Sequence, residues 1–398
     1  MFRRVIANGG ADCKPSPQVE QILRDEIARG GPVPCSRFME VALYQPEHGY
    51  YERDRSVVGQ RGDFYTSVSV GPLFGQMLGF QFAGWIEEIG GRQPATCNLQ
   101  IVEAGAHDGQ LAEDILNWLQ RHRPDLAACI EYWILDPSVR RQEWQRERLS
   151  MFAPRVRWFA SWAEIQQAGG VRGVIFANEL LDVFPVHRVA WSAADQRWFE
   201  WGVRTVGERF IWTRLPALHL NVAALMQPGA ALSNLDEGLR ASAWASLAPL
   251  LPDGFILEIA PFAELWWELA AQSLRQGKLL TFDYGHATGD VINPSKPHGT
   301  LRAYRDHHQV DDILAAPGTQ DITAHVNFAV VQHAGERAGL ATVELTEQAR
   351  FLTRIAQRTM QQPAAFGEWH GERVRQFQTL SHPDHLGRSF SVLVQERV

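Results

Sequence analysis

No run of about 18 consecutive apolar residues occurs anywhere in the chain, so no segment is expected to cross a bilayer. Cysteine is scarce. The four in 398 residues (Cys13, Cys35, Cys97 and Cys129) show no CxxC spacing, which excludes a disulfide framework and a zinc knuckle. A reducing, cytoplasmic setting is the expectation. The opening Met-Phe-Arg-Arg-Val-Ile lacks the apolar core of a secretory signal. Positive charge is in deficit: a net charge of −7 argues against a nucleic-acid surface. The densest basic run, Arg140 to Arg148, is broken by Glu143 and Glu147 on a helical pattern and reads as a solvated helix face. Internal repeats and low-complexity linkers are absent. His382-Pro-Asp-His385 has no third ligand at a fitting spacing, so no metal is expected.

What the sequence does hold is the composition of a globular chain, 45% hydrophobic and 21% charged, long enough for a large core. Its most informative stretch is Ile101-Val-Glu-Ala-Gly-Ala-His-Asp-Gly109. An apolar strand runs into an acid and a glycine-bounded turn, and a helix with apolar positions Leu111, Ile115, Trp118 and Leu119 follows. This is the strand–turn–helix entry of a nucleotide-binding α/β domain, where glycine lets backbone approach a ligand. A second apolar strand, 130–136, ends in Asp136, 27 residues beyond Gly109, where such domains place a carboxylate for ribose hydroxyls. A dinucleotide fingerprint would read GxGxxG; GAHDG lacks the third glycine, and Glu103 before the turn favours the methyltransferase version of the fold.

The pattern around this entry predicts helices at 18–29 and 71–89 and an apolar stretch at 35–44. Strands at 98–103, 130–136, 155–160 and 172–178 follow, interleaved with helices at 110–121 and 138–150. Strands alternating with helices imply a parallel sheet covered on both faces. Residues 187–214 alternate across turn signals as antiparallel β, and a helix at 236–248 follows. A helix at 261–275, a buried strand at 278–283 and late strands at 341–346 and 389–396 complete the core. The expected fold is α/β, a class I methyltransferase-like seven-stranded sheet. It is divided into an N-terminal helical cap (1–95), a first core part (96–186), an inserted β-rich lobe (187–250) and a second core part (251–398).

Several polar groups sit where ligands bind in open α/β sheets, beyond the carboxyl ends of strands. Asn178-Glu-Leu-Leu-Asp182-Val-Phe-Pro185 ends the fourth strand, and its two carboxylates could orient or deprotonate a substrate nitrogen; capping by Asn178 or Asp182 is the plainer alternative. Asp283, in Phe282-Asp-Tyr-Gly285, is either a second such acid or the holder of a turn. Gly62-Asp-Phe-Tyr-Thr-Ser67 either presents Asp63, Thr66 and Ser67 to a ligand or caps the next helix. His325 is either a proton acceptor or a structural histidine near an apolar run. Most of the 14 tryptophans are read as packing.

Six motifs in order resemble the MidA family of S-adenosylmethionine-dependent methyltransferases. They are Met39–Tyr51 (MEVALYQPEHGYY), Gly62–Ser67, Asn178–Pro185, Asp283–Gly285, Gly299–Tyr304 (GTLRAY) and Asp321–Val326 (DITAHV). The resemblance covers roughly residues 30–345. It implies a class I methyltransferase fold and kinship with a mitochondrial complex I assembly factor that methylates protein arginine. Three departures stand out. His107 replaces the middle glycine of the family's GPGRG; Val68-Ser69 stand where the family has Pro-Glu; Asn327 stands where it tends to have Asp.

The expected reaction is methyl transfer from S-adenosyl-L-methionine to a nitrogen of a protein arginine or a small molecule. Glu103, Gly105, His107 and Gly109 are expected at the methionine end, His107 shaping the loop without a metal. Asp136 is expected at the ribose, with Asp63, Thr66, Ser67 and Asn178 also on the cofactor. Glu179 and Asp182 are expected at the acceptor, with Asp283 and His325 behind them. Neither nucleic acid nor membrane is an expected partner, and a homodimer is left open. A non-catalytic assembly factor that binds a partner protein through the same fold is the rival reading, with a nicotinamide oxidoreductase behind it.

Overall fold

A computed structural model describes residues 16–53, 66–90, 98–219, 250–286, 296–305, 308–382, 386–387 and 389–398. The helix expected over 236–248 and the Gly62–Tyr65 part of the second motif, Asp63 included, lie outside the described residues.

The core sheet has seven main strands: β1 (Leu99–Ala104), β2 (Ile130–Leu135), β3 (Val156–Phe159), β4 (Val171–Asn178), β5 (Leu274–His286), β6 (Ala341–Glu347) and β7 (Phe390–Arg397). Their spatial order is β6-β7-β5-β4-β1-β2-β3. The first five are parallel, whereas β7 runs antiparallel between β5 and β6. Val326–Asn327 adds a two-residue strand beside the end of β5. β1 is buried along its whole length, as expected for a central parallel strand covered on both faces.

Each sheet face is closed by apolar helix stripes. On one side, the helix Leu73–Gly90 and the helix Gln110–His122 bury Phe74, Met77, Phe82, Leu111, Ile115 and Trp118 against Ile101, Tyr132 and Phe176. On the other, Pro261–Ser273 and Phe328–Arg337 bury Trp267, Ala270, Phe328 and Val331 against Val102, Ile175 and Leu279. The helix Gln348–Gln361, which alternation did not reveal, inserts Phe351, Leu352 and Ile355 into the first core.

Two smaller sheets stand apart from this core. The expected antiparallel lobe is present as His187–Ser192, Arg197–Val206 and Arg209–Arg214, and it extends past residue 250 because Ile256–Ile259 pairs with His187–Ala190. Val33–Pro34 adds an edge to it. Cys35–Tyr44, read as an apolar stretch, is a helix, and with Pro17–Gly30 it packs on this lobe. Arg302–Arg305, His308–Val310 and Asp321–Thr323 form a three-stranded sheet that the sequence did not disclose. Its Ala303 and Ile322 bury against Phe38 and Met39, which brings the start of the last strand beside the core sheet's carboxyl ends.

No helix among the described residues is long and apolar enough to cross a membrane.

Candidate active site

The chain leaves β1 in one direction toward β2 and β3 and returns on its other side through β4 and β5. The carboxyl ends of β1 and β4 are therefore the switch point at which an open α/β sheet offers a crevice. A cavity of about 500 Å³ opens there, within the range of small-molecule sites. Glu103, Gly105 to Asp108, Gln110, Leu111 and Asp114 form one wall. Asn178 to Leu180, Asp182 and Val183 form another, and Tyr44, Tyr51, Thr66, Val68, Ser69, Gly71, Pro72, Arg141 and Asp321 complete it.

The loop after β1 follows its glycines. Gly105 has φ +72° and Gly109 φ +88°, backbone that residues with a Cβ resist. A Cβ on Gly105 would lie 2.9 Å from the Leu180 side chain, itself on the cavity wall. Gly109 is not on the wall; it starts the helix Gln110–His122, whose first N–H is met by Asp108 Oδ1 at 3.2 Å. His107 tolerates φ +46° and lines the cavity, and its carbonyl accepts from Gln145 Nε2 at 3.0 Å. Among the described residues no group of three or more metal-ligating side chains is present.

Glu103, the penultimate residue of β1, is buried and accepts the Tyr132 hydroxyl at 2.6 Å. Burial, opposed by that bond, pushes its carboxyl to about 8.

Asp136 is corrected as a ribose contact. It is fully buried and absent from the wall, and its carboxylate is consumed by Arg141 (Nη2 at 2.8 Å), Ser138 N–H (3.0 Å) and Gln145 Nε2 (2.9 Å). Arg141, clamped also by Glu52 at 2.6 Å, is the member of this network that reaches the cavity. Asp136 thus acts through others: it fixes Arg141, and with Gln145 it braces the loop at His107.

The Asn178–Pro185 motif carries the second wall. Glu179 sits at φ +53° after the strand, its N–H donating to Phe282 O at 2.8 Å. Its Oε1 accepts from Ser67 N–H (3.1 Å) and Asn178 Nδ2 (3.0 Å). Burial, reinforced by the charges of Asp283 and Asp321, pushes Glu179 to about 8. Asp182 is held far above the usual carboxylate range by burial and by Asp283, Asp321 and Glu179. It shares a hydrogen bond with Asp283, and the proton belongs to Asp182 because Asp283 already accepts three backbone N–H bonds. One buried acceptor on this wall, Asn178 Oδ1, has no hydrogen-bond partner.

Three other expected site residues, and Asn327, do not reach the cavity. Asp283 is fully buried and receives Leu180 N–H (3.2 Å), Leu181 N–H (2.7 Å) and Tyr284 N–H (2.8 Å); it builds the turn instead of meeting substrate. His325 lies off the wall, its Nδ1 3.3 Å from Lys296 Nζ. Ser67 is also off the wall and supports Glu179 through its N–H. Asn327, one of the departures, caps the helix Phe328–Arg337 by accepting Val330 N–H at 3.3 Å, a role in which Asn and Asp are equivalent. Thr66 is on the wall, but its hydroxyl accepts Ser69 N–H at 3.1 Å and so caps a 3-10 turn at the same time.

Tyr44, Tyr51, Asp114, Arg141 and Asp321 were missed. Asp321 had a signal, since it opens the DITAHV motif, but alternation drew attention to His325, which falls past the end of the strand at Thr323.

The arrangement fits S-adenosyl-L-methionine. Backbone stripped of side chains, a helix N-terminus and a buried acid at the end of β1 suit a zwitterionic, nucleoside-containing ligand. The unpartnered Asn178 Oδ1 on the facing wall suits an N–H donor. Relatives bear this out. A structure from Burkholderia thailandensis, a COG1565 superfamily member bound to S-adenosyl-homocysteine, superposes with TM-score 0.78 at 28% identity, covering 99% of this chain and 95% of that one. The mitochondrial protein arginine methyltransferase NDUFAF7 homolog of Drosophila melanogaster is 26% identical, over 93% of this chain and 83% of its own length. NDUFAF7 of Mus musculus, also named a mitochondrial protein arginine methyltransferase, is 27% identical over 86% and 80%. Residues 77–346, more than half of the sequence, match one family description, and the chain accordingly belongs to the Methyltransf_28 family of S-adenosyl-L-methionine-dependent methyltransferases.

Proposed function

We propose that the methyl acceptor is a guanidinium nitrogen of a protein arginine. The observation that carries this reading is the meeting of Glu179, Asp182 and Asp321 on one cavity wall with the unpaired amide oxygen of Asn178. Acids held protonated by burial ionise when positive charge arrives, and a planar guanidinium brings that charge together with several N–H donors. The fly and mouse relatives are named protein arginine methyltransferases, which supports the same acceptor. The Ser69 departure leaves this wall intact, because the acids at 179, 182 and 321 are all retained.

S-adenosyl-L-methionine, bound along the β1 loop, supplies a methyl group made electrophilic by its sulfonium. The chain's task is to align a nitrogen and remove its proton. A guanidinium spreads its charge over three nitrogens, so its lone pairs are poorly available. Carboxylates bonded to its N–H groups concentrate the charge away from the attacking nitrogen. Glu179 takes the proton that this nitrogen sheds as its bond to carbon forms. In the empty cavity Glu179 keeps its own proton near neutrality; an arriving cation, an opposite charge at close range, favours the ionised form that can act as base.

The test is incubation of the purified protein with methyl-labelled cofactor and proteins of a cell lysate, followed by hydrolysis and amino-acid analysis. Label recovered as methylarginine supports the reading. Label confined to small molecules or to other side chains refutes it.

A further inference from the structure

We propose that Asp321, held by Tyr51, is an acceptor-binding carboxylate that sets the site's preference for a cation. The inference rests on the acceptor reading above and names a residue outside the core sheet that enforces it. Asp321 begins the last strand of the three-stranded sheet, is 5% exposed and lies on the cavity wall. Its position is fixed from both sides. The Tyr51 hydroxyl donates to its Oδ1 at 2.7 Å, and three residues on, Ala324 N–H donates to the Asp182 carbonyl at 2.8 Å. This ties the strand to the Glu179–Asp182 turn.

The surroundings suit a cation with a flat face. Tyr51 stacks on Tyr44 (centroids 5.8 Å apart, planes at 24°), and both line the cavity. The Tyr44 hydroxyl is occupied by the Val183 carbonyl at 2.8 Å, so both phenols are tied into the wall as donors. Aromatic rings beside carboxylates are the combination that attracts guanidinium and ammonium groups. The guanidinium of the chain's own Arg141 does not serve the purpose, since Asp136 and Glu52 already claim it. A cation entering the cavity beside these rings meets the Asp321 carboxylate on the same wall as Asp182.

The experiment uses the full chain saturated with S-adenosyl-homocysteine, and isothermal titration with two probes: agmatine, a guanidinium with an ammonium at its other end, and butylamine, the ammonium alone. Asp321→Asn is expected to weaken agmatine binding at least tenfold while S-adenosyl-homocysteine affinity stays within threefold. Tyr51→Phe, which keeps the ring and removes the donor to Asp321, is expected to raise the KM for an arginine peptide several-fold with kcat nearly unchanged. It also serves as the second variant should Asp321→Asn not fold. Agmatine bound equally by wild type and Asp321→Asn, or an unchanged KM in a folded Tyr51→Phe, overturns the inference and leaves the arginine reading standing. Binding of butylamine but not agmatine, lost in Asp321→Asn, upholds the carboxylate's role and removes the arginine reading. If wild type binds neither probe, both fall.

Discussion

Replacing Glu179 by Gln separates the charge of this side chain from its shape. Oε1 accepts two bonds, from Ser67 N–H at 3.1 Å and Asn178 Nδ2 at 3.0 Å, and an amide oxygen accepts the same pair. The turn, including its φ of +53°, should therefore survive. What disappears is a proton acceptor beside the methyl acceptor, and positioned bases of this kind typically supply about 10²–10⁴-fold in rate. The expected result is a fall of at least about 100-fold in kcat, with S-adenosyl-L-methionine affinity within about threefold of wild type, because the loss is made in the transition state. The pH profile gives an independent reading. Glu179 is pushed to about 8 in the free protein, so wild-type kcat/KM should rise with pH until that value is passed. The variant should lack this limb. Glu103 is also pushed to about 8, so a limb that survives in Glu179→Gln belongs to another group. Initial rates on an arginine peptide from pH 6 to 9, with calorimetric titration of the cofactor, provide both measurements. Wild-type turnover in the folded variant, or an unaltered profile, refutes the assignment of Glu179 as base.

The remaining substitutions test the scaffold around this acid. Gly105→Ala places a Cβ at φ +72° and 2.9 Å from Leu180, a strain of about 1–2 kcal/mol at the cofactor loop; calorimetry should show S-adenosyl-L-methionine binding weakened about tenfold or more, and unchanged affinity would mean the loop does not meet the cofactor. Asp283→Asn keeps one carbonyl oxygen for Leu180 and Leu181 but turns an amide N–H toward Tyr284 N–H, so urea denaturation should show a loss of about 1–3 kcal/mol; full stability would return Asp283 to the candidates for substrate contact. For Glu103, buried and pushed from 4.5 to about 8, the folded form binds the proton more tightly than the unfolded chain. Its contribution to stability is complete below about pH 4.5 and is lost as pH rises through about 8, at up to about 1.4 kcal/mol per pH unit. Urea midpoints at pH 5.5 and 7.5 should therefore fall less in Glu103→Gln than in wild type, and equal falls in both would show that Glu103 is ionised throughout.

How much of this was legible in the sequence depended on whether a residue's neighbours lay close along the chain. The strand, turn and helix at 99–122 were readable because hydrophobic period and glycine position are local properties, and the parallel run of the sheet followed from the alternation of strands and helices. The family motifs carried the function further than spacing alone could. Asp136 was found at the right strand end but given the wrong neighbour. Its partners Arg141 and Gln145 sit five and nine residues on, at helical spacing, on a helix whose basic residues had been read as a solvated face. A buried carboxylate satisfied by its own following helix has no bond left for a ribose. Asp283 and His325 misled for a related reason: an acid or a histidine at a strand end looks the same in sequence whether it points into a cavity or receives backbone N–H groups. Asp321 was hidden because its wall is assembled from three distant segments. The helix Cys35–Tyr44 packs under a sheet of 302–323, and only that packing sets Tyr51 within 2.7 Å of Asp321 and ties Ala324 to Asp182. Side chains whose meaning depends on contacts 100 or more residues apart leave no periodic trace. The acceptor half of this site is built from them, whereas the cofactor half is built from one continuous loop.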